Sequence, residues 1–246
     1  MSSSSVSSSK DSSRTYDVLI FGAHPDDAEM AMGGTLARLA EAGHRVLLVS
    51  LTRSEMSTHG TTETRQKEAE AAAKVFGCGT RLLDFPDTRV ENTPAGRDQI
   101  VEIIRAHRPR LVFAPYHTNP LGEPGGVANV DHYNTGGLVR DAVKLARLEK
   151  VLPASPKHTV GRLYFYMLPR NVQPTFLVDV SMVEERMLKG IRCYATQMAI
   201  EVKGNSIEHV LLTSRAAQGL PIGALYAEGF VTDVPPVLGP QHLFEI

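Results

Sequence analysis

The stretch DVLIFGAHPDD, residues 17–27, decides the fold class. Its first half, residues 17–21, is aliphatic and β-branched without polar alternation, which is typical of a parallel strand covered on both faces. A segment of helical period follows at about residues 28–42, and Gly43 is placed to end that helix. The polar end of the quoted stretch is therefore expected at the carboxyl end of a buried strand.

The same alternation of short apolar runs and helical segments continues along the chain. Further strands are predicted at residues 45–51, 81–85, 110–114, 162–167 and 175–180, and helices near residues 62–76, 97–107, 182–193 and 207–217. This order predicts an α/β, Rossmann-like fold, a mostly parallel twisted sheet with helices on both faces and a C-terminal elaboration. We expect residues 1–15 to be a disordered serine-rich tail and residues 16–246 to form a single domain.

The composition argues against several classes of function. The 246 residues include 26 Lys or Arg and 27 Asp or Glu, so no basic field exists to attract nucleic acid or anionic lipid. No run of about 20 apolar residues is present to cross a bilayer. The chain has two cysteines and no apolar signal segment before Tyr16, which favours a cytoplasmic location.

The loop after the first predicted strand carries His24, Asp26 and Asp27. Ligands of open parallel sheets bind beyond the carboxyl ends of the strands. A nucleotide is disfavoured, because this loop lacks the G-x-G-x-x-G pattern and its carboxylates would repel phosphate. His24 and Asp27 are instead zinc-ligand types, with Asp26 left to handle a proton. The alternative is that His24 is a turn residue and the two acids cap the helix.

A catalytic zinc ion usually needs a third protein ligand. The pair Asp131 and His132 closes a long loop at residues 115–130, which follows the predicted strand 110–114. In a doubly wound sheet this loop can face the one after the first strand, which makes His132 the natural third ligand. His117 starts the same loop and is either a spare ligand or proton donor, or a solvated loop residue.

These motifs resemble the PIG-L/LmbE-like family of zinc-dependent N-acetylglucosaminide deacetylases. The resemblance covers residues 17 to about 238 and is carried by AHPDD at 23–27, LTRSE at 51–55, LVFAPY at 111–116 and DH at 131–132. Further matches, YATQ at 194–197 and GALYAEGF at 223–230, resemble the branch that deacetylates N-acetylglucosaminyl-malate in bacillithiol biosynthesis.

The resemblance implies a role for each matching residue. It implies that Zn²⁺ is held by His24, Asp27 and His132, although other divalent ions suit such a site, and that Asp26 is the general base for a metal-activated water. It implies a small amino-sugar conjugate as substrate and a homo-oligomer, with hexamers among the family's assemblies. The substrate residues that it implies are Arg65, Arg53, Glu55 and Tyr194.

One motif departs from the family pattern. The family reads His-Pro-Asp-His where this chain reads Asn-Val-Asp-His at residues 129–132. The family's first histidine is the expected oxyanion stabiliser, oriented by the aspartate, so Asn129 and Asp131 are candidate catalytic residues, with the amide of Asn129 as the donor. The departure motivates an alternative, a metal- or sugar-binding homologue with altered or lost catalysis. A nucleotide-binding α/β module is the third hypothesis.

Overall fold

A five-stranded parallel sheet forms the centre of the structure, a computed structural model that describes residues 15–122 and 129–235. The strand order is β3-β2-β1-β4-β5. The strands are β1 (Val18–Gly22), β2 (Val46–Ser50), β3 (Gly79–Leu82), β4 (Leu111–Pro115) and β5 (Arg162–Tyr166). The mostly parallel α/β fold is thereby confirmed. The predicted tail lies almost wholly outside the described residues, and the single-domain assignment stays a prediction.

Helices cover both faces of this sheet. They are α1 (Asp27–Glu41), α2 (Thr62–Phe76), α3 (Pro94–His107), α4 (Val130–Ala146), α5 (Glu184–Ile191), α6 (Ala195–Met198) and α7 (Ile207–Gly219). Alternate side chains of a strand point to opposite faces. Val18 and Ile20 accordingly pack in one core with α1 and α2, whereas Leu19 and Phe21 pack in the other with α3 and α4. This double burial explains why β1 is apolar throughout.

Local capping signals set the ends of the helices. Helix α2 has the predicted bounds, because Thr61 accepts a hydrogen bond from the Thr64 amide at its start and Gly77 takes a left-handed conformation at its end. Helix α3 begins three residues before the predicted position. Thr93 caps it and Pro94 occupies its first turn, where a missing N–H has no cost.

The C-terminal part of the chain adds two small antiparallel sheets. The strand predicted at residues 175–180 forms β6 (Phe176–Asp179), which pairs with β9 (Ala227–Phe230) rather than with the central sheet. A hairpin of β7 (Glu201–Val202) and β8 (Asn205–Ser206) precedes α7. None of the helices in the described ranges has both the length and the apolar character needed to cross a membrane.

The strand order reverses between β1 and β4, which are hydrogen-bonded neighbours. From β1 the chain proceeds outward through β2 and β3, and it then returns to add β4 and β5 on the other side. The chain therefore leaves β1 at residue 23 and β4 at residue 116 from adjacent carboxyl ends. Such a switch point is where ligands bind in this class of sheet.

A buried ion pair between α7 and β9 lies against an interruption in α1. Met32 departs from helical geometry, and the amides of Gly34 and Thr35 donate to the Glu228 carboxylate at 3.0 and 2.7 Å. Arg215 donates to the same carboxylate at 2.8 Å, and both charged side chains are buried. Glu228 therefore acts as an N-terminal cap for the second half of α1.

We expect Glu228→Ala to lower the free energy of unfolding by about 3–5 kcal/mol, because it leaves the Arg215 charge buried and unpaired. Urea denaturation followed by circular dichroism measures the change. Glu208→Ala is the control, since Glu208 pairs with the exposed Arg192 and should contribute far less. Equal losses in the two variants would show that the buried pair has no special role.

Candidate functional site

A cavity of about 530 Å³ lies beyond the carboxyl ends of β1 to β4. Its volume is in the usual range of small-molecule sites, roughly 300–1,000 Å³. Titratable side chains line its inner end, namely His24, Asp26, Asp27, Arg65, Asp87 and His132. The loop after β2 and the segment around α6 to α7 provide most of its outer wall.

The three predicted metal ligands lie together in this cavity. One ligand atom from each of His24, Asp27 and His132 lies within 4.8 Å of the other two. The Asp27 carboxylate stands between the imidazoles, with Oδ1 3.2 Å from His132 Nε2 and Oδ2 3.6 Å from His24 Nδ1. The β1–α1 junction and the first turn of α4 thus present two nitrogens and a carboxylate toward one point.

The backbone of the β1–α1 loop fixes this carboxylate. Oδ2 of Asp27 accepts hydrogen bonds from the amides of Ala23 and His24 at 2.8 and 2.9 Å. Gly22 permits the close turn, because a Cβ there would lie 3.0 Å from the Cβ of Asp27. The tight loop therefore orients Asp27 before any ligand binds.

The charges around the imidazoles favour a cation. Burial lowers the pKa of His24, but Asp27, Asp131 and Asp87 outweigh it and raise that pKa to about 12. Burial raises the pKa of Asp27, yet His132 and His24 hold it well below its usual range. Because the carboxylates around the two imidazoles outnumber the cationic groups, an added positive charge stabilises the site.

The donor set fits a divalent metal ion. Two imidazoles and one carboxylate form a ligand set found in catalytic zinc sites, with further positions left for water or substrate. His132 is buried, and its Nδ1 has no hydrogen-bond partner within the part of the chain that the structure describes. This nitrogen lies on the opposite side of the ring from Nε2, the nitrogen that faces Asp27 and would bind the ion.

Asp26 lines the same cavity as the three ligands and has a strained backbone. Its φ of 117° is in a region that non-glycine residues seldom adopt. Its carboxylate meets Arg65, whose Nη2 lies 3.0 Å from Oδ2 and also donates to the Pro25 carbonyl. Burial raises the pKa of Asp26 to about 6, although Arg65 opposes the shift.

Two further carboxylates face His24 from its other side. His24 Nε2 lies 3.1 Å from Asp87 Oδ1 and 3.4 Å from Asp131 Oδ2. Asp131 accepts hydrogen bonds from the amides of Thr88 and Val90, so its orientation is fixed. Sequence analysis missed Asp87, which follows β3; its position near a strand end was the available signal. Asp131, predicted as catalytic, contacts the back of His24 and is absent from the described cavity lining.

The predicted substrate residues have different surroundings. Arg65 lines the cavity but is only 2% exposed, and its guanidinium lies 5.3 Å from the Tyr194 ring centroid. Tyr194, expected to border the pocket, is fully buried and donates to Glu29 Oε1 at 2.5 Å. Arg53 pairs with the exposed Asp84 outside the described cavity lining, so its predicted position at the site is not observed.

Glu55 and Glu29 hydrogen-bond to neighbouring segments and are absent from the described cavity lining. Glu55 Oε1 accepts a hydrogen bond from the Asp87 amide at 2.7 Å, and Glu55 is absent from the described lining. Burial raises the pKa of Glu29 to about 7. Sequence analysis missed Glu29, because its partner Tyr194 is 165 residues away.

Asn129 lines the cavity and also caps α4. Its Oδ1 accepts a hydrogen bond from the Asp131 amide at 2.9 Å, which leaves the amide nitrogen as its donor end. His117 does not take the place of the family histidine. It packs against Phe165, its Nδ1 lies 3.4 Å from Arg140, and it is not among the described lining residues.

Comparison with known proteins identifies the family. A profile of the PIG-L family, described as GlcNAc-PI de-N-acetylase, matches residues 19–143. Diacetylchitobiose deacetylase of Thermococcus kodakarensis is 30% identical over 226 residues, which cover 86% of this chain and 81% of the relative. The chain belongs to the PIG-L family. Its matched region contains the β1–α1 loop and the start of α4, where the three candidate ligands lie.

Solved structures of similar proteins agree with the PIG-L assignment. The conserved protein TT1542 of Thermus thermophilus superposes with a TM-score of 0.82 at 33% identity, covering 92% of this chain and 98% of that one. An N,N'-diacetylchitobiose deacetylase of Pyrococcus horikoshii gives a TM-score of 0.77 at 26% identity, covering 92% and 88%.

We expect Zn²⁺ to raise the Tm of chelator-treated protein by roughly 5–10 °C at a concentration of about 100 Kd, because the cation relieves repulsion among buried carboxylates. Differential scanning fluorimetry measures the shift, and metal analysis of the dialysed protein measures binding. Asp27→Asn should lose both signals, whereas the exposed control Asp84→Asn should keep both. An unchanged shift in Asp27→Asn would exclude Asp27 as a ligand.

Proposed function

We propose that the protein is a zinc-dependent N-deacetylase of N-acetylglucosamine conjugates. The observation that carries the proposal is the arrangement of His24, Asp27 and His132 around one point, with the Asp26 carboxylate next to it in the same cavity. The names of the diacetylchitobiose deacetylases that resemble this chain support an amide of an amino sugar as the bond that is cleaved.

In this proposal each side chain has a separate task. His24, Asp27 and His132 hold the ion, which when bound supplies Lewis acidity to activate water and polarise the acetyl carbonyl. Asp26 takes the proton of the attacking water, and Arg65 holds its carboxylate in place at 3.0 Å. The Asn129 amide donates to the oxygen on which negative charge develops.

Asp87 and Asp131 act through His24. Because both carboxylates face Nε2, they favour a proton on that nitrogen and leave Nδ1, which faces Asp27, to bind the ion. The cluster of His24, Asp87 and Asp131 also has the composition of a metal site. We assign it to the orientation of His24, since the opposite ring nitrogen faces the proposed ion.

We expect Asp26→Asn to lower kcat by about 10²- to 10⁴-fold, because the amide cannot accept the proton from water. Acetate release from N-acetylglucosaminyl-malate and from N,N'-diacetylchitobiose measures the activity. Metal content should stay at the wild-type level in this variant. Near-normal turnover would exclude Asp26 as the base, and wild-type protein that binds both conjugates without releasing acetate would favour the alternative, a sugar-binding homologue without catalysis.

We expect Asp87→Asn to weaken zinc affinity by about 10- to 100-fold, as loss of a carboxylate behind a metal-binding histidine typically does. Competition with a chromogenic chelator measures the affinity. Asp84→Asn is the control, because Asp84 lies three residues earlier and pairs with Arg53 at the surface. Equal affinities in the two variants would show that Asp87 does not support His24.

A further inference from the structure

The outer part of the cavity differs in chemistry from its inner end. The aliphatic side chains of Met30, Met56, Ile200 and Ile207 line it. Hydroxyl and amide groups stand among them, from Ser57, Thr58 and Gln197. The two walls of this outer part are joined by a hydrogen bond, because Gln197 Nε2 donates to the His59 carbonyl at 3.2 Å.

The arginine that lines the cavity is already paired with a carboxylate. Among the described lining residues, Arg65 is the one lysine or arginine, and it lies buried at the inner end against Asp26. One divalent ion together with Arg65 would only balance the three lining carboxylates of Asp26, Asp27 and Asp87.

On the basis of the proposed deacetylase function, we propose that the group attached to the amino sugar is uncharged and hydroxylated, such as a second neutral sugar. A dicarboxylate such as malate would bring two negative charges next to carboxylates, with no lysine or arginine besides Arg65 among the described lining residues to receive them. Proteins usually bind such groups through arginine forks. A neutral sugar instead places its C–H face on the aliphatic wall and its hydroxyls on the side chains of Ser57, Thr58 and Gln197.

The sharpest test compares one ligand with and without its charge. N-acetylglucosaminyl-malate and its malate dimethyl ester share one skeleton, so they differ chiefly in two negative charges. The zinc-loaded protein should have a kcat/KM at least about tenfold higher for the diester and for N,N'-diacetylchitobiose than for the diacid, because like charges in proximity oppose binding. A diacid that equals or exceeds the diester would overturn the inference.

A positive charge introduced into the protein at the rim of the cavity tests whether charge repulsion disfavours the diacid. Met56 lines the cavity and is 64% exposed, so Met56→Lys changes the charge there with little change of shape. Relative to Met56→Gln, this variant should raise kcat/KM for the diacid by up to about fivefold, the factor that corresponds to an exposed ion pair, whereas the two variants should have the same kcat/KM for the diester. Met56→Gln is the uncharged control. An equal effect of both variants on the diacid would contradict the inference.

Binding separates this inference from the proposed reaction. Isothermal titration calorimetry of the zinc-loaded Asp26→Asn protein measures affinity for diester and diacid without turnover. Tighter binding of the diester would support the inference even if the wild-type protein releases no acetate, an outcome that would refute only hydrolysis. Binding of neither ligand, or tighter binding of the diacid, would refute the uncharged group while acetate release by the wild-type protein still supported the deacetylase.

Discussion

Repulsion among buried carboxylates is the constraint on which this site depends. Asp26, Asp27, Asp87 and Asp131 are all buried at one end of the sheet. Burying an ionised group is costly unless it is paired and hydrogen-bonded. Backbone amides and the imidazole of His24 compensate for part of this cost, as the raised pKa of His24 shows. A bound cation would supply the remainder, so folding of the β1–α1 loop and ion binding are physically coupled.

The same loop gives two adjacent aspartates opposite environments. Asp27 begins α1, accepts two backbone hydrogen bonds and faces two imidazoles, which stabilise its charge. Asp26 has a positive φ and meets Arg65, and burial raises its pKa. Carboxylates whose pKa values are separated in this way can divide the tasks of charge stabilisation and proton transfer. The different partners of Asp26 and Asp27 are thus the structural basis of the proposed division between ligand and base.

The parts of this site that follow from local rules could be predicted from the sequence. An apolar strand followed by a polar turn placed His24 and Asp27 at a carboxyl end, and the topology of doubly wound sheets brought His132 to the same place. The contact of Asp87 with His24, the contacts of Glu228 and the burial of Tyr194 could not be predicted. Each depends on a side-chain contact between distant segments, such as Tyr194 with Glu29, and a motif gives the position of a residue but not the direction of its side chain.

Asn129 departs from the family motif, yet it both caps α4 and keeps a hydrogen-bond donor in its side chain. Asparagine is among the best helix N-caps, and here its Oδ1 holds the first turn of α4, the turn that carries both Asp131 and His132. Its remaining donor is an amide, which does not titrate near neutral pH. A histidine in this position would offer a cationic donor whose strength depends on protonation. Asparagine in place of histidine therefore gives a donor that does not titrate near neutral pH. As the cap of α4, Asn129 also keeps the proposed ligand His132 in register with the β1–α1 loop.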